Sequence, residues 1–152
     1  MMKYILLDID GVLTSFAHSR LCSTERREEN LFGLDWFDPA CVRELKHVID
    51  ATGAAIVVSS SWRELGKDRL SIVWESDNLP GRLDDTTPEW ILTKREAIQE
   101  WISAHPNDRY VILDDQDLGF PNQVQTNTNL GLTQSEALAA IAVLNNEIIT
   151  YG

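Results

Sequence analysis

The stretch Tyr4-Ile5-Leu6-Leu7-Asp8-Ile9-Asp10-Gly11-Val12-Leu13-Thr14 runs from an apolar strand directly into two carboxylates. An unpaired charge at the end of a buried strand is costly, so a cation is expected beside it. A bound metal is the simplest candidate. Alternate residues of a strand point to one side, roughly 6–7 Å apart at about 3.3 Å per residue, so Asp8 and Asp10 are expected to address one ligand. Gly11 then permits the sharp turn that follows.

Working outward, Lys3 to Leu7 leads straight into the Asp pair and reads as a structural strand rather than a leader. Ser15 to Trp36 is charged and irregular in period, with Arg20, Arg26, Arg27, Glu28 and Glu29, and reads as an inserted loop or short lid. Asp38 is a good N-cap, Pro39 suits the first helical position, and Gly53 marks the stop, so a helix is predicted to about Thr52. Its apolar positions Val42, Leu45, Val48 and Ile49 keep helical spacing. Ala54 to Val58 reads as a second buried strand ending at Ser59-Ser60-Ser61-Trp62-Arg63. Glu64 to Glu75 is expected to be helical, and Asn78 to Pro88 a loop, or a short strand followed by a loop.

Thr93-Lys94-Arg95-Glu96 has the pattern of a capping box, which predicts a helix from Lys94 to about Ala104 with Lys94 in its first turn. Tyr110 to Leu113 is the next strand and ends at Asp114-Asp115-Gln116-Asp117. A short strand near Val124 to Thr126 and a final helix, opened by a second capping box at Thr133-Gln134-Ser135-Glu136, complete the chain. Strands alternating with helices predict an α/β fold, a doubly wound and mostly parallel sheet with helices on both faces. Residues 1–152 are expected to form one domain with a lid-like insertion at about 15–36.

Composition narrows the function. The 43% hydrophobic content and five Trp suit a soluble globular protein, and no apolar run nears the roughly 20 residues of a membrane span. The formal charge of -11 disfavours broad attraction to a nucleic-acid backbone, though not a local basic pocket. Cys22 and Cys41 lack metal-ligand spacing and are expected to be free thiols in a reducing, cytoplasmic setting. His18, His47 and His105 lack such spacing too and receive no role.

Three predicted strands thus finish in polar residues: the Asp8/Asp10 pair, the Ser59 to Ser61 run and the Asp114/Asp115 pair. Open α/β sheets bind ligands beyond the carboxyl ends of their strands. In this order, Asp8-Ile9-Asp10-Gly11-Val12, a strand-end Ser, Lys94 and Asp114-Asp115 resemble the four motifs of the haloacid dehalogenase (HAD) superfamily of phosphotransferases. Ser60-Ser61-Trp62-Arg63 and Gly131-Leu132-Thr133 further resemble the small HAD domain of Swiss-army-knife RNA repair proteins.

The resemblance implies a phosphatase in which Asp8 attacks a phosphoryl group to give an aspartyl-phosphate. Asp10 would be the general acid and base. Mg²⁺ would be held by Asp8, the backbone carbonyl of Asp10, and Asp114 or Asp115. A serine of the run would bond a phosphoryl oxygen; Ser60 stands at the family's spacing from Trp62, with Ser59 and Ser61 as alternatives. Lys94 would neutralise charge on the nucleophile and the transferring group. The implied substrate is a phosphomonoester, either a small molecule such as a nucleotide or a nucleic-acid 3′-phosphate end.

The competing reading is a non-enzymatic phospho-acceptor or partner-binding module on the same fold. Receiver domains, however, place their phospho-acceptor on a later strand, whereas Asp8 follows the first. Among neighbouring residues, Trp62 is read as packing, Arg63 as a second phosphate clamp or a carboxylate partner, and Asp117 as outer support or a loop charge. Arg20, Arg26 and Arg27 are read as solvated, as are Glu28-Glu29 and the loop pair Asp84-Asp85. Gly131-Leu132-Thr133 is expected to be structural.

Overall fold

The computed structural model describes residues 1–21, 37–88 and 93–146. Five strands form one all-parallel sheet: β1 (Lys3–Leu7), β2 (Ala55–Val58), β3 (Leu83–Thr86), β4 (Arg109–Asp114) and β5 (Gln123–Gln125), in the spatial order β3-β2-β1-β4-β5. The α-helices are α1 (Phe16–Leu21), α2 (Pro39–Thr52), α3 (Gly66–Ser76), α4 (Lys94–Ala104) and α5 (Gln134–Leu144), with a 3₁₀ turn over Ser61–Leu65.

Handedness decides which helix covers which face. From β1 to β2 to β3 the sheet grows one way, so right-handed crossovers place α2 and α3 on the same face. The return from β3 to β4, across β1, reverses direction and puts α4 on the opposite face. The core follows suit. Leu45 and Val48 of α2, Leu70, Val73 and Trp74 of α3, and Ala137 and Ala140 of α5 pack on Ile5, Leu7, Ile56, Val58, Val111 and Leu113. On the other face Ile98 and Trp101 of α4 pack on Tyr4, Leu6, Ala55, Val57 and Ile112. Strand residues of alternate parity thus feed two apolar layers, as expected for a parallel sheet covered on both sides.

Local chemistry explains most boundaries. Asp38 caps α2 through a bond from the Ala40 amide (2.9 Å), Pro39 opens the helix, and Gly53 closes it at φ 72°. Thr93 caps α4 by accepting from the Glu96 amide (3.2 Å), with its hydroxyl also on the Glu96 carboxylate (3.0 Å). The second capping box differs. Thr133 precedes α5 without bonding a helix amide, and its hydroxyl donates to the Glu136 carboxylate instead. The stretch predicted as helical from Glu64 divides into the 3₁₀ turn and α3.

The predicted insertion leaves and returns at one place. Ser15, which is buried, accepts from the His18 amide (3.1 Å) at the start of α1 and donates to Asp38 Oδ2 (2.8 Å), while the Asp38 amide donates to Leu13 O (2.8 Å). Cys22, Arg26, Arg27, Glu28 and Glu29 lie outside the described residues, as does the Arg20 side chain. Among the other sequence readings, Cys41 is a buried free thiol whose Sγ faces Leu130 O at 3.4 Å. Asp84 lies on β3, within 3.5 Å of the Arg82 guanidinium.

Gly131 has a structural task. It sits at φ +68°, and a Cβ there would come within 2.6 Å of Cys41 Sγ and 2.9 Å of Val12 O, while the next amide, of Leu132, donates to Val12 O at 2.8 Å. The segment therefore presses its bare backbone against the loop that follows β1. Gly131→Ala is expected to cost about 2 kcal/mol through left-handed strain and the clash, lowering Tm by roughly 4–8 °C in a thermal melt. A melt matching the parent protein would show that this contact does not buttress the loop.

Candidate active site

The sheet's register assembles the charged cluster. Leu6, Val57 and Ile112 face the α4 side, so the positions two further on, Asp8, Ser59 and Asp114, have the parity of that same face. The ladder continues past the strand ends, with the Asp8 amide donating to Leu113 O (2.9 Å) and the Ser59 amide to Leu7 O (2.9 Å). On that face α4 begins, and its first residue is Lys94. Its ammonium lies 3.0 Å from Asp114 Oδ2 and 3.4 Å from Asp8 Oδ2.

Carboxylate oxygens of Asp8, Asp114 and Asp115 lie within 4.8 Å of one another. The first two are buried. Each also accepts a nearby amide: Asp8 Oδ1 from Ile9 (2.9 Å) and Asp114 Oδ1 from Gln116 (2.9 Å). Burial, and then the neighbouring Asp114 charge, push Asp8 up to about 7 against the opposing pull of Lys94. Burial likewise raises Asp114. Burial alone would lower the Lys94 ammonium, but Asp8 and Asp114 outweigh it and hold Lys94 above its usual value.

Three carboxylates facing one ammonium leave a surplus of negative charge in a partly dry site. An all-oxygen donor set of this kind fits a hard divalent ion such as Mg²⁺, with water filling the remaining positions. The residues present therefore suit the metal that the motifs imply.

Asp10 departs from the strand-based expectation. β1 ends at Leu7, and the chain turns about Ile9, whose carbonyl accepts from Val12 (3.2 Å), Leu13 (2.9 Å) and Thr14 (3.2 Å). Alternation does not extend through such a turn: Ile9 is buried and Asp10 is exposed. Its carboxylate is not part of the three-carboxylate cluster. Asp10 instead lines a cleft of about 170 Å³ with Gly11, Thr14, Ser15, Phe16, Asp115 and Thr128. Larger clefts, of about 600 Å³ against Trp101 and about 570 Å³ beside Val42, contain none of Asp8, Asp10, Asp114 or Asp115.

Ser60 caps the 3₁₀ turn by accepting from the Trp62 amide (3.0 Å), which leaves its O–H available to donate. Ser61 begins that turn. The Ser59 hydroxyl is fully buried and has no hydrogen-bond partner among the described residues. Trp62 packs on the main core and on Phe37, ring centroids 5.9 Å apart. Arg63 Nη1 donates to Ser59 O (3.4 Å), and Asp117, exposed, accepts from the Gly119 amide (3.0 Å) to shape its own loop.

Supports from β5 and the loop after it were not read from the sequence. Thr126 Oγ1 donates to Gly11 O (2.7 Å), Thr128 Oγ1 to Asp115 Oδ2 (2.9 Å), and Gln125 Nε2 to Asp115 O (3.1 Å). The signal was faint: hydroxyl and amide residues just beyond a short strand have no motif of their own. Gly11, at φ +82°, is required here because a Cβ would fall on the Asp115 carboxylate.

The raised Asp8 has a consequence for stability without metal. A carboxyl held higher in the folded than in the unfolded chain contributes stability that is complete below about pH 4 and is lost as pH rises through about 7. In chelator, Asp8→Asn is therefore expected to be more stable than the parent at pH 8 by about 2 kcal/mol, or roughly 4–8 °C in Tm. The difference should shrink toward pH 4. A variant less stable than the parent at pH 8 would contradict the charge balance described.

Among the described residues no helix is long and apolar enough to cross a membrane. No curated protein and no solved structure matches the chain. A family model described as the HAD domain in Swiss Army Knife RNA repair proteins matches residues 4–137, a span that begins within β1 and includes both Asp pairs, the serine run and Lys94. With its parallel sheet and the acidic cluster at the strand ends, the chain belongs to the HAD domain family of Swiss Army Knife RNA repair proteins.

Proposed function

We propose that residues 1–152 act as one HAD-type phosphomonoester hydrolase working through an aspartyl-phosphate on Asp8. The observation that carries this reading is the position of Asp8, buried beside the Lys94 ammonium and the carboxylates of Asp114 and Asp115. A carboxylate placed there merely to stabilise the fold would be a poor choice, since burial pushes it toward neutrality.

In the first half-reaction an Asp8 oxygen attacks phosphorus, the bond to the leaving oxygen breaks, and Asp10 transfers a proton to that oxygen. In the second, Asp10 takes a proton from water as the water attacks phosphorus. Free phosphate leaves, and the Asp8 carboxylate is restored. Lys94 offsets charge on Asp8 and on the phosphoryl group. One serine of the run bonds a phosphoryl oxygen: Ser60, whose O–H is free to donate, with Ser59 and Ser61 as the alternatives.

Asp8, Asp114 and Asp115, with the Asp10 carbonyl, would hold Mg²⁺, which when bound lets an anionic nucleophile approach an anionic phosphate. The Asp115 carboxylate is kept in place by Thr128. The substrate is a small phosphate ester, a nucleotide or a nucleic-acid 3′-phosphate end; the charge of -11 argues against a long duplex footprint.

Hydrolysis of p-nitrophenyl phosphate with Mg²⁺ tests the proposal. Turnover is expected to be abolished by chelation and by Asp8→Asn, and to fall about 10²–10⁴-fold in Asp10→Asn. Stable phosphate labelling without release would instead identify a phospho-acceptor module. Turnover that survives Asp8→Asn would overturn the assignment of the nucleophile.

A further inference from the structure

Phe16 is 59% exposed although it begins α1 directly beside the site. It shares the wall of the 170 Å³ cleft with Asp10, Asp115 and Thr128. Its backbone is anchored: the Phe16 amide donates to Thr128 O (3.3 Å) and the Ala17 amide to Asn129 O (3.0 Å), and Ser15 just before is buried. An exposed apolar ring thus lines a polar cleft, on backbone tied to the same loop that steadies Asp115. Isolated exposed apolar residues are ordinary; one fixed beside a proton-transfer group has a use.

We propose that Phe16 is the platform on which the base of a nucleotide substrate stacks, which makes it a specificity-determining residue for nucleoside phosphates. This rests on the phosphatase reading above and names its substrate class. If Asp8 attacks phosphorus and Asp10 protonates the leaving oxygen, the leaving group must lie toward Asp10, along the wall that Phe16 shares. A nucleoside leaving group carries a flat π surface, and stacking on an aromatic ring is tolerant of base identity. Trp62, which follows the end of β2, is already packed against Phe37. Stacking on a single base also suits an acidic chain, because it needs no basic track along a phosphate backbone.

The test measures binding by calorimetry with Mg²⁺ in the Asp8→Asn protein, which cannot consume its ligand. Adenosine 3′-monophosphate and adenosine 5′-monophosphate are compared with ribose 5-phosphate, which has no base. At least one nucleotide is expected to bind about tenfold more tightly than ribose 5-phosphate, with the ratio collapsing toward one in Asp8→Asn/Phe16→Ala and persisting in Asp8→Asn/Phe16→Trp. A far-ultraviolet melt checks that the exposed substitution leaves the fold intact. No preference for the nucleotides, no binding of any of the three, or a preference that survives Phe16→Ala would each overturn the platform. Separately, absence of aryl phosphate turnover by the parent chain would defeat the phosphatase reading, while the binding ratio would still decide the role of Phe16. Comparing a 3′-phosphorylated dinucleotide with the mononucleotides then separates a strand end from a free nucleotide, and tighter dinucleotide binding lost on Phe16→Ala would favour the strand end.

Discussion

Two buried carboxylates, Asp8 and Asp114, share one ammonium from Lys94, and the rest of the structure is arranged around that imbalance. Burial resists ionisation of both acids, helped by the Asp114 charge at Asp8 and the Asp115 charge at Asp114, and Lys94 offsets only part of the cost. A third carboxylate, Asp115, completes a cluster that attracts a further positive charge. Such an arrangement is a poor way to stabilise a fold, and its oxygen donors suit a hard divalent cation.

Topology produces this convergence. The strand order β3-β2-β1-β4-β5 places the direction reversal between β1 and β4, whose carboxyl ends carry Asp8 and Asp114. Right-handed crossovers then oblige α4 to cover the face opposite α2 and α3, and α4 begins with Lys94. The alternation that sends Leu6, Val57 and Ile112 into the α4 layer sends Asp8, Ser59 and Asp114 toward the same side at the strand ends. One rule of handedness and one of parity account for Asp8, Asp114 and Lys94 meeting.

Where local chemistry and tertiary structure agree, the sequence was readable. Asp38, Pro39 and Gly53 delimited α2 because capping is a short-range effect, and the Thr93 box located α4 and with it Lys94. Reading Asp8 and Asp10 as neighbours on one side of a strand failed because the chain begins to turn after Leu7, and three amides gathered on the Ile9 carbonyl direct the following residues. Thr126 and Thr128 were invisible for another reason: they act across more than 10 residues of sequence, on Gly11 and Asp115, and nothing in their own neighbourhood signals it. Thr133 shows that a capping pattern specifies partners only when tertiary packing leaves the hydroxyl on the helix amides.

Asp8, Asp114 and Asp115 offer three oxygen ligands to a single divalent cation. Titration of the chain with Mn²⁺, followed by electron paramagnetic resonance of the free ion, tests this coordination most directly. One bound Mn²⁺ per chain is expected, displaced by Mg²⁺, lost in Asp114→Asn and retained in Asp117→Asn. Absence of binding by the parent, or equal binding in both variants, would contradict it.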